Sequence, residues 1–223
     1  PFFIGCSKVI LASSCFIYVH TMSPVKLYHF PVSGPSRGAL MAARAIAVPV
    51  EIEIVDLFKK EQLKDSFIKV NPQHCVPTLD DDGFVLWESR AIASYLADKY
   101  GKDDQWYPKD LKRRALIDQR LYFDASNLYS MITTYFLFQF PVLFLGETEI
   151  KKAQKDDLNV TLGFLEQFLS GSKWLAGNTP TIADTSTYSS LSSILVRLFY
   201  NHLFNTFALQ FYLHRYLGIK CSN

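Results

Sequence analysis

The spacing of hydrophobic and polar residues divides the chain into an α/β part followed by an all-helical part. Alternating polarity predicts strands, and apolar positions three or four residues apart predict helices. In chain order the first part predicts a strand at 26–30, a helix after Pro35, a strand at 50–56, a short helix at 61–69, a hairpin of strands at 78–80 and 84–87, and a helix at 88–100. The order βαβαββα predicts a mixed four-stranded sheet whose parallel pair is joined by a right-handed crossover.

The pattern changes after Gly101. Residues 103–110 are polar and contain Pro108, as in a linker, and helical spacing alone is found beyond them. The helices predicted there lie at 111–138, at about 148–170 and from 181 onwards. The domains that follow from this division are an α/β domain at 22–102 and an all-α domain at 111–195.

The two ends of the chain differ from its body in charge. All 21 acidic residues lie between them, so residues 1–21 and 196–223 contain none. For residues 1–21, a signal peptide would lack its basic start, and a membrane helix would lack the run of about 20 apolar residues that it needs. We therefore expect a non-native leader or extension at 1–21.

We expect an aberrant tail at 196–223, so that the helical domain is incomplete. Two origins stay open for that tail: translated intron, because the codons of Val196-Arg197 can contain the splice-donor sequence GTAAG, or a divergent amphipathic helix.

Composition and charge exclude several classes of protein. About half of the 223 residues are hydrophobic, about a fifth are charged and the net charge is +2. That balance is typical of a globular domain and supplies no basic field for nucleic acid. The four cysteines are not closely paired, so they predict neither a disulfide framework nor a zinc site. The uncharged stretch 125–146 contains Gln139 and Pro141, which favours a buried helix beside an apolar pocket over a membrane span.

Two backbone positions in the α/β part can hold a peptide-like ligand. Ser33 stands between the first strand and the first helix, where free N–H groups and the helix dipole favour an anion. Val76-Pro77 heads a hairpin strand, and a cis bond there would leave the Val76 backbone open to pair with a peptide. Each has an ordinary structural interpretation as well, a helix N-cap for the serine and a trans turn for the proline.

Charged and polar side chains near these positions add to the same hypothesis. Glu88 and Ser89 begin the third helix, where a carboxylate can take an ammonium group and a hydroxyl can take a carboxyl group. His74 precedes Val76-Pro77 and can hold a second carboxylate. A helix cap and a surface histidine are the alternatives when each motif is taken alone.

Together these motifs resemble the cytosolic glutathione S-transferases, with the insect delta class most similar and the epsilon class next. The resemblance runs through residues 24–195 and is carried by LYHFPVSGPSR, NPQHCVPTL, LWESRAI, YLADKYG, RLYFDASNLY and TIADTSTY. It implies a thioredoxin-like first domain, an all-α second domain, and a cytoplasmic homodimer that uses glutathione as co-substrate and no metal. The implied reaction is conjugation of glutathione to electrophilic hydrophobic small molecules in xenobiotic detoxification, with dehydrochlorinase or peroxidase side activity. No nucleic-acid or membrane partner is expected.

The resemblance also implies a role for individual residues. Ser33 matches the catalytic serine, whose hydroxyl stabilises the glutathione thiolate. The positions that match the glutathione-binding site are His74, Val76, Pro77, Glu88, Ser89, Arg90 and Asp124. The positions expected to line the hydrophobic substrate site are Phe30, Pro35, Tyr129 and Tyr135. Thr181 and Asp184 match a helix-start box, in which the threonine caps the helix N–H groups and the aspartate reciprocates.

Some positions depart from the family's pattern. Gln62 stands where many delta-class members have a histidine beside the glycyl carboxylate of glutathione, and Ser36 stands where a cysteine is common, a change expected to be harmless. Cys75 is expected to be an inert thiol. A catalytically weak glutathione S-transferase-like binding or carrier protein is the alternative function. A thioredoxin-type redox enzyme is disfavoured because the turn after the first strand contains no CxxC pair.

Overall fold

The computed structural model describes residues 10–12, 15–17, 23–133 and 152–201. Its strands are β1 Ile10–Ala12, β2 Cys15–Ile17, β3 Val25–His29, β4 Val50–Ile54, β5 Thr78–Asp81 and β6 Phe84–Trp87. Its helices are α1 Gly34–Ile46, α2 Asp65–Ile68, α3 Ser89–Tyr100, α4 Leu111–Phe123, α5 Lys152–Ser170 and α6 Ile182–Asn201, with a 3-10 turn at Glu61–Leu63 and a π-helical turn at Asp124–Leu128.

Strands β3 to β6 form a mixed four-stranded sheet in the order β4-β3-β5-β6. β3 and β4 are parallel, and β5 pairs antiparallel with both β3 and β6. The hairpin between β5 and β6 turns at Asp82 and Gly83, which both have positive φ, 54° and 85°, as two-residue hairpin loops require. The sheet and the helical second half confirm the predicted thioredoxin-like domain followed by an all-α domain. The separate β1–β2 pair was not predicted.

The main core lies between the sheet, α1 and α3, and it extends into the helical half. Its members come from β3, α1, β5, α3, α4 and α6, and the largest fully buried ones are Val25, Leu27, Leu79, Ile92, Leu96, Ile117 and Ile182. Small residues of α1 let that helix approach closely. The buried positions of α1 include Ala39, Ala42, Ala43 and Ile46. Ala47 ends the helix, with a left-handed φ of 65°.

The inward face of α3 buries Ile92 and Leu96, whereas Tyr95 and Tyr100 are only partly buried. Their hydroxyls donate to the carboxylate of Asp81 at 2.6 and 2.7 Å. Because a phenol has an apolar ring and a polar tip, both tyrosines pack at the edge of the core and hold the β5–β6 hairpin against α3.

The helical half has a second core of its own, which α5 and α6 close. Leu128 and Ile132 pack there with four leucines of α5. The helix predicted over 111–138 is interrupted by the π-helical turn and is described as far as residue 133. The rest of the uncharged stretch 125–146 lies outside the described residues. Among the helices that are described, none has both the length and the apolar character needed to cross a bilayer.

The domain boundaries and the two terminal segments stay predictions. Of residues 1–21 and 196–223, the structure describes only 10–12, 15–17 and 196–201. α6 runs on to Asn201, beyond the point at which the sequence resemblance ends.

Candidate active site

Ser33 lies at the N-cap of α1. Its Oγ accepts a hydrogen bond from the N–H of Ser36 at 3.3 Å, and its own N–H donates to the carbonyl of Phe30 at 3.0 Å, which closes the turn after β3. Pro35 follows in the first turn of the helix, where its missing N–H costs nothing. Because Oγ accepts from the backbone, the hydroxyl hydrogen is left to donate to an anion at the positive end of the helix dipole.

A buried pair behind Ser33, His29 and Ser36, holds this turn in place. Ser36 Oγ accepts from the N–H of Phe30 at 3.1 Å and lies 2.8 Å from His29 Nδ1. The Phe30 amide uses one acceptor position of the Ser36 hydroxyl, and the imidazole uses either the hydroxyl hydrogen or the second lone pair, according to its tautomer. Burial lowers the pKa of His29, against a raising effect of its hydrogen bond with Ser36, and Arg37 and Arg44 lower it further.

No role for His29 was predicted from the sequence, and Ser36 was expected to be a harmless change. The available signal was the position of His29 in β3, where alternation places it on the same face as Val25 and Leu27. A histidine on a core face needs a hydrogen-bond partner. The partner itself, seven residues further on, depends on how α1 folds back onto the sheet.

The peptide bond between Val76 and Pro77 is cis. The fully buried side chain of Asn71 holds the loop before this bond. Its Nδ2 donates to Thr78 Oγ1 at 2.8 Å and to Cys75 O at 3.2 Å. Neither the N–H nor the C=O of Val76 bonds to another residue in the described part of the chain. Both groups are therefore available to an added peptide strand.

His74 and Gln62 lie in the segments between β4 and β5. His74 is exposed, has a φ of +43° and donates its N–H to the carbonyl of Asn71 at 2.9 Å. Gln62 Oε1 is buried without a hydrogen-bond partner among the residues that the structure describes. A buried polar atom in this state favours a ligand that completes its hydrogen bonding.

Glu88 precedes α3 in a strained backbone conformation. Its φ is 71° and its ψ is 105°, the side chain is exposed, and it makes no capping hydrogen bond. A non-glycine residue in such a region costs about 1–3 kcal/mol, and residues of this kind cluster at functional sites. Ser89, which follows, is buried, and its Oγ accepts from Arg90 Nη1 at 3.3 Å.

Arg90 connects this corner to the helical domain through a buried ion pair. Its Nε and Nη2 donate to Asp124 Oδ2 at 3.0 and 2.6 Å, and the guanidinium carbon lies 5.3 Å from the centre of the Tyr129 ring. Asp124 is fully buried, and its Oδ1 has no partner among the described residues. The aspartate predicted to lie near a ligand ammonium is thus held by Arg90, with one oxygen still unpaired.

A cavity of about 680 Å³ opens beside Ser33 between α1 and α6. Its walls include Ser33, Arg37, Tyr129, Tyr188 and Ser193. This volume suits a small organic ligand, since such sites commonly measure about 300–1,000 Å³. Tyr129 therefore lies where the sequence placed a substrate-lining residue.

Two other predicted lining residues, Phe30 and Pro35, are not among the residues that line the cavity. Phe30 is buried with Tyr28 and Phe67, because alternate residues at the end of β3 share one face, and its ring meets that of Phe58 at 5.3 Å. Pro35 is not among the residues that line the cavity, whose loop wall is formed by Pro31, Val32, Ser33 and Gly34. Tyr135 lies outside the described residues.

The helix-start box of α6 is present, but its hydrogen bonds differ from the predicted ones. Asp184 Oδ2 accepts from the Thr181 N–H at 2.8 Å and from the Thr181 hydroxyl at 3.0 Å. Asp184 Oδ1 accepts from the N–H of Leu175 at 3.0 Å. The threonine hydroxyl thus binds the carboxylate and not the helix N–H groups, and the aspartate is the residue that anchors both the helix start and the preceding loop.

The comparison with known proteins identifies the same class of protein as this geometry. Family models for the N-terminal and C-terminal domains of glutathione S-transferase match residues 27–104 and 139–215. Glutathione S-transferase D7 of Anopheles gambiae is 44% identical over 173 residues, which cover 78% of this chain and 77% of that protein.

Solved structures agree with the sequence matches. Glutathione S-transferase unclassified 2 from Bombyx mori is 72% identical, with a TM-score of 0.71 and coverage of 78% of this chain and 79% of that one. A delta-class glutathione transferase of Nilaparvata lugens is 46% identical, with a TM-score of 0.72 and coverage of 77% and 79%.

A thioredoxin-like sheet domain followed by an all-helical domain is the architecture that this chain shares with glutathione S-transferases. This chain belongs to the glutathione S-transferase family. It is accordingly a transferase, related to insect enzymes that include a delta-class member.

Proposed function

We propose that this protein forms a glutathione thiolate at Ser33 and transfers it to electrophilic apolar small molecules held in the adjoining cavity. The observation that carries the proposal is the hydrogen bonding of Ser33. Its Oγ accepts from the N–H of Ser36, so its hydrogen is available to donate to a sulfur anion on the floor of the cavity.

The catalytic gain from the hydroxyl follows from the ionisation of the thiol. A thiol of pKa about 8.5 is roughly 3% ionised at pH 7, and lowering that pKa by about two units makes it about 75% ionised. The reactive fraction thus rises about 25-fold. Positioning of the second substrate next to the sulfur has to supply the rest of the acceleration.

The remaining site residues would hold glutathione along its length. The backbone of Val76, next to Pro77, pairs with the cysteinyl unit, and His74 binds the glycyl carboxylate. Glu88 and Ser89 hold the γ-glutamyl end. Arg90 and Asp124 support that end from the helical domain, and the unpaired Asp124 Oδ1 is directed to the glutamyl ammonium group or to a water beside it. The strain at Glu88 and the open Val76 backbone support this arrangement.

Replacement of Ser33 by alanine tests the proposal. With chlorodinitrobenzene at pH 7, kcat/KM should fall about 25-fold, and the pKa of bound glutathione, followed by ultraviolet absorbance of the thiolate, should rise by about two units. The variant also loses an N-cap worth about 0.5–2 kcal/mol. Asp110→Ala, which removes the N-cap of α4 far from the site, is the matched control and should keep full turnover.

Two results would contradict this function. Unchanged turnover in Ser33→Ala would show that the hydroxyl does not stabilise the thiolate. Retention of the unaltered protein on immobilised glutathione without any turnover would instead support the alternative, a binding or carrier protein.

The setting in which the enzyme works is part of the same proposal. We infer a homodimer in the cytoplasm that acts in detoxification, and the same thiolate would also support dehydrochlorination and peroxide reduction. The resemblance to glutathione S-transferases supports the dimer. Sedimentation velocity should give twice the chain mass, and cell fractionation should place the protein in the soluble fraction.

A further inference from the structure

Arg37 brings a positive charge to the cavity wall, and no carboxylate among the described residues neutralises it. No ion pair to Arg37 occurs within the parts of the chain that the structure describes. Its hydrogen-bond acceptors, at 2.9–3.3 Å, are all neutral: the carbonyls of Pro31, Val32 and Ser189 and the hydroxyls of Ser192 and Ser193. By contrast, Arg90 and Arg114 are paired with Asp124 and Asp98.

The guanidinium is partly removed from water. Burial lowers the pKa of Arg37, while the nearby Tyr129 and Tyr188 act in the opposite direction. Partial burial also means that solvent screens the charge less than it screens an exposed arginine. Its neutral hydrogen-bond acceptors fix the position of the Arg37 guanidinium but leave its positive charge in place. A negative group that enters the cavity is therefore attracted to it.

The charge lies close to the proposed sulfur site. Arg37 follows Ser33 by one helical turn, and its N–H donates to the Ser33 carbonyl at 3.0 Å. Both residues line the cavity, as does Ser193. The contact between the helices is tight here, since a Cβ on Gly34 would lie 2.7 Å from Ser193 Oγ.

Ser193 can supply a directional hydrogen bond in addition to the charge. Its Oγ accepts from Arg37 at 2.9 Å, whereas its own hydrogen has the Ser189 carbonyl only at 3.4 Å. That hydroxyl hydrogen can turn towards a carboxylate oxygen in the cavity, and the charge on Arg37 strengthens such a bond.

We propose that Arg37, with Ser193, selects electrophiles that carry a carboxylate on the side of the molecule away from the reacting carbon. This inference rests on the proposed function, because it assigns the second substrate of the same site. In an aryl chloride, a sulfur electron pair forms the C–S bond at the carbon that bears chlorine, and chloride leaves with the C–Cl electron pair. Arg37 takes no part in bond making; it holds the carboxylate.

A matched pair of substrates tests this selection. 4-Chloro-3,5-dinitrobenzoate and its methyl ester share the reacting ring and differ in charge. Arg37→Gln should lower kcat/KM for the benzoate about tenfold or more, and for the ester by less than about threefold. Arg37→Lys keeps the charge and should keep part of the preference. Arg44→Gln makes the same charge change at an exposed position of the same helix and should leave the ratio unchanged.

The possible outcomes separate this inference from the proposed function. An equal loss for both substrates would assign the charge to the thiolate and overturn the inference, as would an unchanged ratio in Arg37→Gln. If that variant does not fold, inhibition of the unaltered enzyme by the glutathione conjugates of the two substrates decides, and equal inhibition constants overturn it. If no variant or native protein turns over either substrate, the proposed function fails. Binding of the two arenes, measured by quenching of tryptophan fluorescence, then tests the carboxylate preference alone.

Discussion

At the scale of single residues, the position of the Ser33 hydroxyl depends on side chains that do not touch a ligand. Ser36 uses its backbone N–H to hold Ser33 Oγ and its own Oγ to hold the Phe30 N–H. Ser36 Oγ also hydrogen-bonds to His29 Nδ1. Because burial penalises a charged imidazole, the packed turn requires His29 to be neutral for full stability.

This requirement predicts a pH dependence of stability. The pKa of His29 in the folded protein lies below its ordinary value of 6.5 because the ring is buried. As pH falls below about 6.5, the unfolded chain therefore binds a proton before the folded one, and the free energy of unfolding decreases until the folded pKa is passed. Well above pH 6.5 the imidazole is neutral in both states, so His29 causes no change of the unfolding free energy with pH there.

Replacement of His29 by glutamine should remove this contribution. Urea unfolding at about pH 7.5 and about pH 5.5 measures it: the loss of stability on acidification should be smaller in His29→Gln than in the unaltered protein. His74→Gln, at an exposed position, is the control and should leave the pH dependence as it was. An equal loss in all three proteins would contradict the role given to His29.

At the scale of elements, the Arg90–Asp124 pair joins the start of α3 to the π-helical turn after α4. The side chains are 14% and 0% exposed. Breaking a buried pair by removal of one partner leaves an uncompensated charge, which costs about 3–5 kcal/mol, whereas apolar replacement of both partners often costs far less. The pair therefore controls how the two domains meet more than it adds to stability.

A double-mutant cycle measures this difference. Asp124→Leu and Arg90→Leu should each lower the free energy of unfolding by about 3–5 kcal/mol. The double variant should lower it by much less than the sum of the two single losses. The Arg114–Asp98 pair, with side chains 25% and 46% exposed, is the comparison and should contribute about 1 kcal/mol or less. Additive losses at the buried pair would rule out the coupling.

At the scale of the whole molecule, the cavity exists because α1 and α6 pack closely at one end. Gly38 allows this contact, since a Cβ there would lie 3.3 Å from Ser189 Cβ. The Ser189 hydroxyl also donates to the carbonyl of Gly34. The first domain thus places Ser33 against the helical domain with little freedom for either to shift.

A larger residue at Gly38 should separate the two domains. Gly38→Val should destabilise the protein by about 1–3 kcal/mol through overpacking and lower kcat/KM as the cavity wall moves. Gly163→Val is the matched control within α5, because a Cβ there meets no described atom within 4 Å, and it should change the unfolding free energy little. Thermal unfolding and the chlorodinitrobenzene assay measure both variants, and equal effects would refute the packing argument.

The sequence by itself determined most of the elements, because strand and helix periods are local properties of the chain; the β1–β2 pair and the π-helical turn were not predicted. It predicted the order βαβαββα, the Ser33 cap, the Val76-Pro77 loop and, through resemblance, the family. Only the tertiary structure decided which side chains meet: that Phe30 faces Phe58 and not the cavity, that Asp124 is paired with Arg90, and that Arg37 ends among neutral oxygens contributed by a helix some 150 residues away. Such contacts depend on how faces of distant elements are brought together, and no local pattern encodes that distance.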